Sequence, residues 1–455
     1  MFPVPFPLGP SSAHRLAAFV VACSAFIGPA THAQQQPPSL TLDQALRVAQ
    51  DRSRQLPAHD AAATASRERA VAAGQRPDPT FSVGLNNLPV SGPDRLSLTR
   101  DFMTMRSVGV MQEFTRSDKL TARSARYDRE AEAAQAARTL ALANLRRDTA
   151  TAWLERHFQE RLLEVLRTQR AEANLQIEAS DTAYRSGRGA QADAFAARSA
   201  VALIDDRIRL AERQVVTART KLARWVGNAA DQPLGAAPPL SAVRLDPRDL
   251  ETQLAHHPAL ALMLRQEETA RADAAVAQSD QRSDWSVGLM FSQRGPAYSN
   301  MLSVTASIPL QLDPKHRQDR EVAARLAVVE QLRAQREEAT REHVAETLGW
   351  LQEWQGNRER LSNYDSTLIP LAVQRTQAAT ASYRGGAGLL GAVLEARRLE
   401  IDTRVDRLRL EMETAARWAQ LEYLVPPEHE MPNLNLNLNL NPSPIPSTGA
   451  MEKQP

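Results

Sequence analysis

Phe81-Ser82-Val83-Gly84-Leu85 returns 204 residues later as Trp285-Ser286-Val287-Gly288-Leu289, and this pair of segments decides how the chain is read. Each alternates bulky and small residues with the two-residue period of a strand. Other matches keep the same order along the chain. Ser107-Val108 returns as Ser303-Val304 and Lys119 as Lys315, both 196 residues on. Tyr184-Arg185-Ser186-Gly187-Arg188-Gly189 returns as Tyr383-Arg384-Gly385-Gly386-Ala387-Gly388, 199 residues on. An ordered set of matches with slowly drifting offsets describes one unit written twice, over residues 34–240 and 241–426.

The prolines say what lies between the matches. None of the 28 falls between Pro93 and Pro233, and only Pro370 interrupts the stretch from Pro314 to Pro426. Proline lacks the amide N–H and clashes with the preceding helical turn, so such gaps mark long helices. The composition agrees, with 5% aromatic residues and an apolar fraction dominated by alanine, which suits closely packed helices. The charge balance, 55 Lys+Arg against 53 Asp+Glu, excludes an acidic tail and a nucleic-acid-binding basic excess.

Each half then reads helix, strand, strand, long helix, Gly-turn, helix. The expected helices are 41–75, 118–186 and 190–227 in the first half, and 248–283, 313–383 and 389–425 in the second. At 1.5 Å per residue, the two short helices of each half add up to the long one, roughly 100 Å. They can therefore stack end to end alongside it. Pro57 and Pro258 must kink or break the first helix of each half, and Pro370 predicts a kink ahead of Tyr383. Within 118–186, one row (Leu142, Leu145, Thr149, Ala152) and a second (Leu154, Phe158, Leu162, Val165) form apolar stripes, so this helix has neighbours on both sides.

The expected strands are 80–90, 101–114, 284–293 and 299–311, a length that suits tilted strands crossing a bilayer. Four strands cannot close a barrel, so strands in lipid demand an oligomer. A small sheet capping a soluble helical bundle is the competing reading. Met103, Met105, Met111, Met290 and Met301 cluster in these regions. They are expected to pack or face lipid rather than to relay a metal.

At the N-terminus, Arg15 precedes the apolar run Leu16 to Ile27, followed by Gly28-Pro29 and Thr31-His32-Ala33. This is the pattern of a signal peptide spanning 1–33 and cleaved after Ala33. A lipoprotein reading at Cys23, the chain's only cysteine, competes with it. The tail 427–455, with its Asn-Leu repeat from Asn433 to Asn441, reads as low complexity without order.

Taken with Leu40-Thr41-Leu42-Asp43-Gln44-Ala45-Leu46, the segment from Ser97 to Phe114 and the two Tyr-x-x-Gly turns, the chain resembles the outer-membrane efflux protein family typified by the TolC channel. It resembles the heavy-metal (cobalt-zinc-cadmium and copper-silver) branch in particular, over about residues 40–426. The resemblance implies a mainly α protomer with a small β part, four transmembrane strands and duplicated halves. Three protomers then make a homotrimer with a twelve-stranded barrel set in outer-membrane lipid and a helical tunnel in the periplasm. It implies a periplasmic adaptor (membrane fusion) protein, an inner-membrane pump of the RND type, and heavy-metal cations as cargo, with drugs or proteins of type I secretion as the alternative cargo for the same channel. The tip turns Tyr184, Gly187, Gly189, Tyr383, Gly386 and Gly388 would meet the adaptor.

In relatives a tyrosine at the second Gly-turn bonds an aspartate just past the first; the matching positions here are Tyr383 and Asp193. A second latch is missing, because its positions hold Gly388 and Ala192. Of two acidic rings in relatives, only Glu395 has a carboxylate here, since Ala392 occupies the other position. On their own terms, Tyr184 and Tyr383 could pack a hairpin end, Gly187 and Gly386 could cap helices, Asp193 could be a first-turn acid and Glu395 a solvated charge.

No chemistry of catalysis accompanies these features. The nine histidines are scattered, and His256 and His257, adjacent on a helix, diverge by about 100°. There is no His-x-x-x-His, cysteine pair, phosphate loop or nucleophile elbow, so no enzyme, cofactor or resident metal is expected.

Overall fold

The computed structural model describes residues 39–187, 189–245, 254 and 256–426. The signal peptide, the lipidation of Cys23 and the tail 427–455 lie outside the described residues. So does the start of the helix expected from 248.

The chain runs α1 (Leu42–Arg52), α2 (Gln55–Ala73), β1 (Thr80–Asn86), β2 (Met105–Phe114), α3 (Ser117–Arg185) and α4 (Gln191–Val226). It continues as α5 (Pro258–Ser279), β3 (Trp285–Gln293), β4 (Met301–Ser307), α6 (Gln318–Asn363), α7 (Ile369–Arg384) and α8 (Leu390–Glu422). It is mainly α with one small sheet, as the proline gaps require. The first helix breaks at Ser53-Arg54, two residues ahead of Pro57, and Pro258 takes the first position of α5, where its missing N–H costs nothing. Pro370 is absorbed differently. The turn Tyr364–Leu368 widens to a π-helix in which the Ile369 N–H reaches back to the Tyr364 carbonyl, and Pro370 follows at the start of α7.

The long helix α3 has neighbours on both flanks, α2 and α4 on one and α5 and α8 on the other. Ion pairs show the order along it. Arg138 of α3 meets Asp60 of α2 at 2.9 Å, while farther on Arg167 meets Glu212 of α4 at 2.8 Å. The first expected stripe is buried as read, and it runs on through Arg156, Gln159, Leu163 and Leu166. The second stripe ends at Phe158, and Leu162 and Val165 are only half-buried. Alternating steps of three and four keep the first row in line, facing α2 at Leu142 and α4 at Leu163 and Leu166, whereas successive steps of four rotate about 40° off line each time.

Where α1 and the ends of α4 and α8 meet the middle of α3, Trp153, Trp354 and Trp418 anchor the largest core cluster. Trp153 is fully buried and donates its indole N–H to the Leu40 carbonyl at 3.0 Å. Leu40 itself forms a parallel bridge with Leu234, a contact the sequence reading lacked.

The sheet is antiparallel in the order β1-β2-β3-β4. The strands are shorter than expected for local reasons. Asn87 turns to φ 55° and ends β1, and the Asp101 carboxylate accepts the N–H groups of Met103 and Thr104, which holds 101–104 in a turn. The register sorts the two faces. One carries the rows Phe81–Val110–Leu289–Val304 and Val83–Val108–Phe291–Leu302. The other carries Ser82–Gly109–Met290–Ser303, Gly84–Ser107–Ser292–Met301 and Thr80–Met111–Gly288–Thr305. The first face is exposed, with Phe81 at 67% and Val304 at 71%, whereas Ser107 and Ser292 on the second are 4% exposed. The register also assigns the strand methionines to a face. Met105, Met111, Met290 and Met301 all lie on the small polar face, because each has the parity of its Ser and Gly neighbours.

Candidate functional site

Two ends of the fold hold the residues singled out in the sequence. At one end the α3–α4 and α7–α8 turns are built alike. Gly187 sits at φ 69° and Gly386 at φ 78°, each accepting a left-handed conformation that closes the helix before it. The N–H of Gly189 reaches back to the Ala183 carbonyl at 3.1 Å, and that of Gly388 to the Ser382 carbonyl at 3.1 Å. A Cβ at Gly388 would stand 2.8 Å from the Ser382 hydroxyl and 3.1 Å from the Tyr383 amide nitrogen, so a larger residue would force Ser382 to move.

Tyr184 is exposed and Tyr383 half-buried on these two turns. Asp193 lies in the first turn of α4, where its Oδ2 accepts the Ala190 N–H at 3.3 Å. Among the described residues no hydrogen bond joins Tyr383 to Asp193 within the protomer. Glu395 is exposed on α8 and pairs with Arg398 at 3.2 Å. One turn deeper lies a group the sequence reading missed. The buried Glu400 carboxylate is held by Arg404 at 3.0 Å and Arg397 at 3.4 Å, and Arg397 crosses to Glu172 of α3 at 2.7 Å. Arginines three before and four after a glutamate inside the row Val393, Ala396, Ile401 were the available signal.

At the other end the sheet meets the helices. Phe114 and Trp285 stack at 4.4 Å on the apolar face, a position suited to an interfacial aromatic belt. Beside them Lys119, almost fully buried, bonds Asp284 at 2.8 Å and Asp280 at 3.0 Å, which ties α3 to the loop entering β3. Burial alone would lower the Lys119 pKa, but the two carboxylates outweigh it and raise it. Asp284 is held below its ordinary value, because Lys119 and the Arg116 N–H together exceed the cost of its burial. A cleft of about 870 Å³ opens just beyond, with walls from α2, α3, α5 and α6. Its charged lining is Arg76, Arg123, Arg126 and Arg325 against Asp78 and Asp273.

Farther along, Glu267 is fully buried between Arg271 and Arg336. His257 caps α5 by accepting the Ala259 N–H on Nδ1 at 3.2 Å and faces His343 at 4.4 Å between rings. Among the described residues no helix is long and apolar enough to cross a membrane, and no three His, Cys, Asp or Glu gather as a metal site.

Solved structures share this architecture. The outer-membrane channel OprN superposes with a TM-score of 0.70 at 16% identity, over 84% of this chain and 89% of its own. CusC, described in terms of folding and transmembrane channel formation, gives 0.70 at 15% identity, over 85% and 92%. The open-state MtrE outer-membrane channel of Neisseria gonorrhoeae gives 0.63 at 17% identity, over 84% and 88%. At these identities the likeness establishes the fold, that of TolC-type outer-membrane channels. No protein-family model matches the sequence, and no curated protein matches it either.

Proposed function

We propose that the protein is the outer-membrane channel of a tripartite efflux system, active as a homotrimer. The observation that carries this is the sheet: four strands with unpaired edges at β1 and β4 and an apolar face exposed on every strand. In water such a face and such edges are a liability. In lipid they are resolved by closure. Because β4 runs antiparallel to β1, the edge of one protomer continues the alternation of the next, and three protomers give twelve strands, above the minimum of eight for a barrel.

The helices then form a tunnel on the periplasmic side. The Gly-turns at its far end, with Tyr184, Gly187, Gly189, Tyr383, Gly386 and Gly388, meet a periplasmic adaptor bound to an inner-membrane pump of the RND type. Asp193, Tyr383 and Glu395 form the gate. With Asp193 occupied by its own cap and the second latch lost to Gly388 and Ala192, this gate is weak, and Tyr383→Phe raises conductance in planar bilayers at most severalfold. The cargo is a heavy-metal cation. A second reading, an anionic organic cargo, is favoured by the arginines of the cleft below the sheet.

The test is fractionation. The protein is expected in detergent-extracted outer membrane as a trimer, and recovery as a soluble monomer overturns the reading. Deletion followed by metal and drug challenge separates the two cargoes.

A further inference from the structure

Apart from its methionines, the small polar face of the sheet carries only Ser, Thr, Gly, Asn and Glu113. No Val, Leu, Ile or Phe joins them there, and no methionine lies on the apolar face of any strand. Methionines serving only as apolar bulk would sit among the valines and leucines of the other face. What sets them apart from those residues is sulfur, a soft and polarisable donor.

The register also gives them an order. Met111 opposes Gly288, and Met290 lies two residues farther along β3 on the same face. Met290 in turn lies two residues short of Ser292, which opposes Met301. Met111, Met290 and Met301 are therefore successive diagonal neighbours, roughly 7–8 Å apart between backbones, climbing from the helix end of the sheet to its loop end. Each step rises about 7 Å, and flexible thioether side chains from both ends can shorten it. Met105 stands at the loop end of β2.

We infer that Met111, Met290 and Met301 form a thioether ladder on the inner face of the barrel that takes up soft monovalent cations, Cu(I) or Ag(I), and passes them outward. This rests on the proposed barrel, in which the polar face lines the lumen. Uncharged sulfur donors in a line hold a soft cation at several weak sites, which suits a conduit, since cargo must leave as readily as it enters. Hard or borderline cations such as Zn(II) and Co(II) gain nothing from thioethers over water.

The experiment uses the full-length protein carrying Cys23→Ser, so that no thiol competes, in planar bilayers bathed in nitrate salts. Open-channel current before any metal is added tests the barrel itself, and its absence defeats that reading alone. With current present, micromolar silver nitrate is expected to reduce it reversibly, zinc nitrate at the same concentration to leave it unchanged, and Met111→Leu/Met290→Leu/Met301→Leu to need at least tenfold more silver. X-ray absorption of the silver-loaded trimer should show sulfur neighbours that the triple variant lacks. A conducting wild type that silver does not affect, or a triple variant equally sensitive, overturns the ladder. If the triple variant fails to insert, the three single Leu variants are read instead, and unchanged sensitivity in all three overturns it as well.

Discussion

His257 offers a sharp quantitative test of the packing between α5 and α6. Its ring is nearly fully buried at the start of α5, faces His343 and feels the charge of Arg147. Burial first, then these two neighbours, push its pKa down from 6.5 to about 4. The geometry demands the same, since Nδ1 must keep a lone pair to accept the Ala259 N–H. A histidine whose native pKa is depressed is neutral in the fold, while the unfolded chain binds the proton first, so stability falls as pH drops below about 6.5 and levels off near 4. At about pH 4.5 roughly 99% of unfolded imidazoles are protonated against about a quarter of native ones, which amounts to about 2 kcal/mol lost relative to pH 7. In the His257→Asn variant the side-chain amide oxygen can accept the same N–H, because asparagine is a preferred helix cap, but it does not titrate. Urea unfolding of the detergent-solubilised protein, followed by circular dichroism at about pH 7 and pH 4.5, should therefore show the variant losing about 2 kcal/mol less than the wild type. Equal losses in the two proteins would refute the buried, neutral histidine.

Three further substitutions test other contacts. Asp284→Asn leaves the Lys119 ammonium with Asp280 alone, and should cost about 2–3 kcal/mol, less than a fully broken buried pair because one carboxylate remains. In the wild type the Asp284 contribution is present above its unfolded pKa and lost as pH falls through the lowered native value, while that of Lys119 is lost only as pH rises through its raised one. The thermal midpoint should accordingly be flat between them and fall on both sides. Glu267→Gln takes the carboxylate from the mostly buried Arg336, while Arg271 remains 58% exposed to water, and should cost about 2 kcal/mol in urea, with Glu267→Asp recovering part of it; no loss would mean that Arg336 finds another partner. Trp153→Phe removes the only donor given to the Leu40 carbonyl by a side chain among the described residues, and should cost about 1–3 kcal/mol, with amide exchange of residues 39–45 rising first.

Much of the fold is legible in residue periodicity. The proline gap announced a long helix, and the strand pattern before it and the Gly-turn after it placed α3 within a residue at each end. The Gly-turns were legible for the same local reason, since Gly187 and Gly386 need positive φ whatever surrounds them. The strand ends were not, since Asp101 and Asn87 decide them through single side-chain and backbone choices that alternation does not reveal. Pro370 announced a disturbance but not its form, a π-turn ahead of the proline. Glu267 looks like a surface charge until α6 brings Arg336 against it, and Glu400 until the packing of α8 buries it between Arg397 and Arg404 of its own helix.

By itself, then, the sequence determined the elements: a duplicated pattern of strands and long helices, fixed by local sterics and by periods of two and of three to four residues. Only the tertiary structure decided what each face meets. A strand residue's partner and the side it shares depend on register, and register is set by chain segments roughly 180 residues apart, such as Val110 against Leu289. That is why the strand methionines, which the sequence alone reads as packing or lipid-facing, stand among serines and glycines once β2, β3 and β4 are laid side by side.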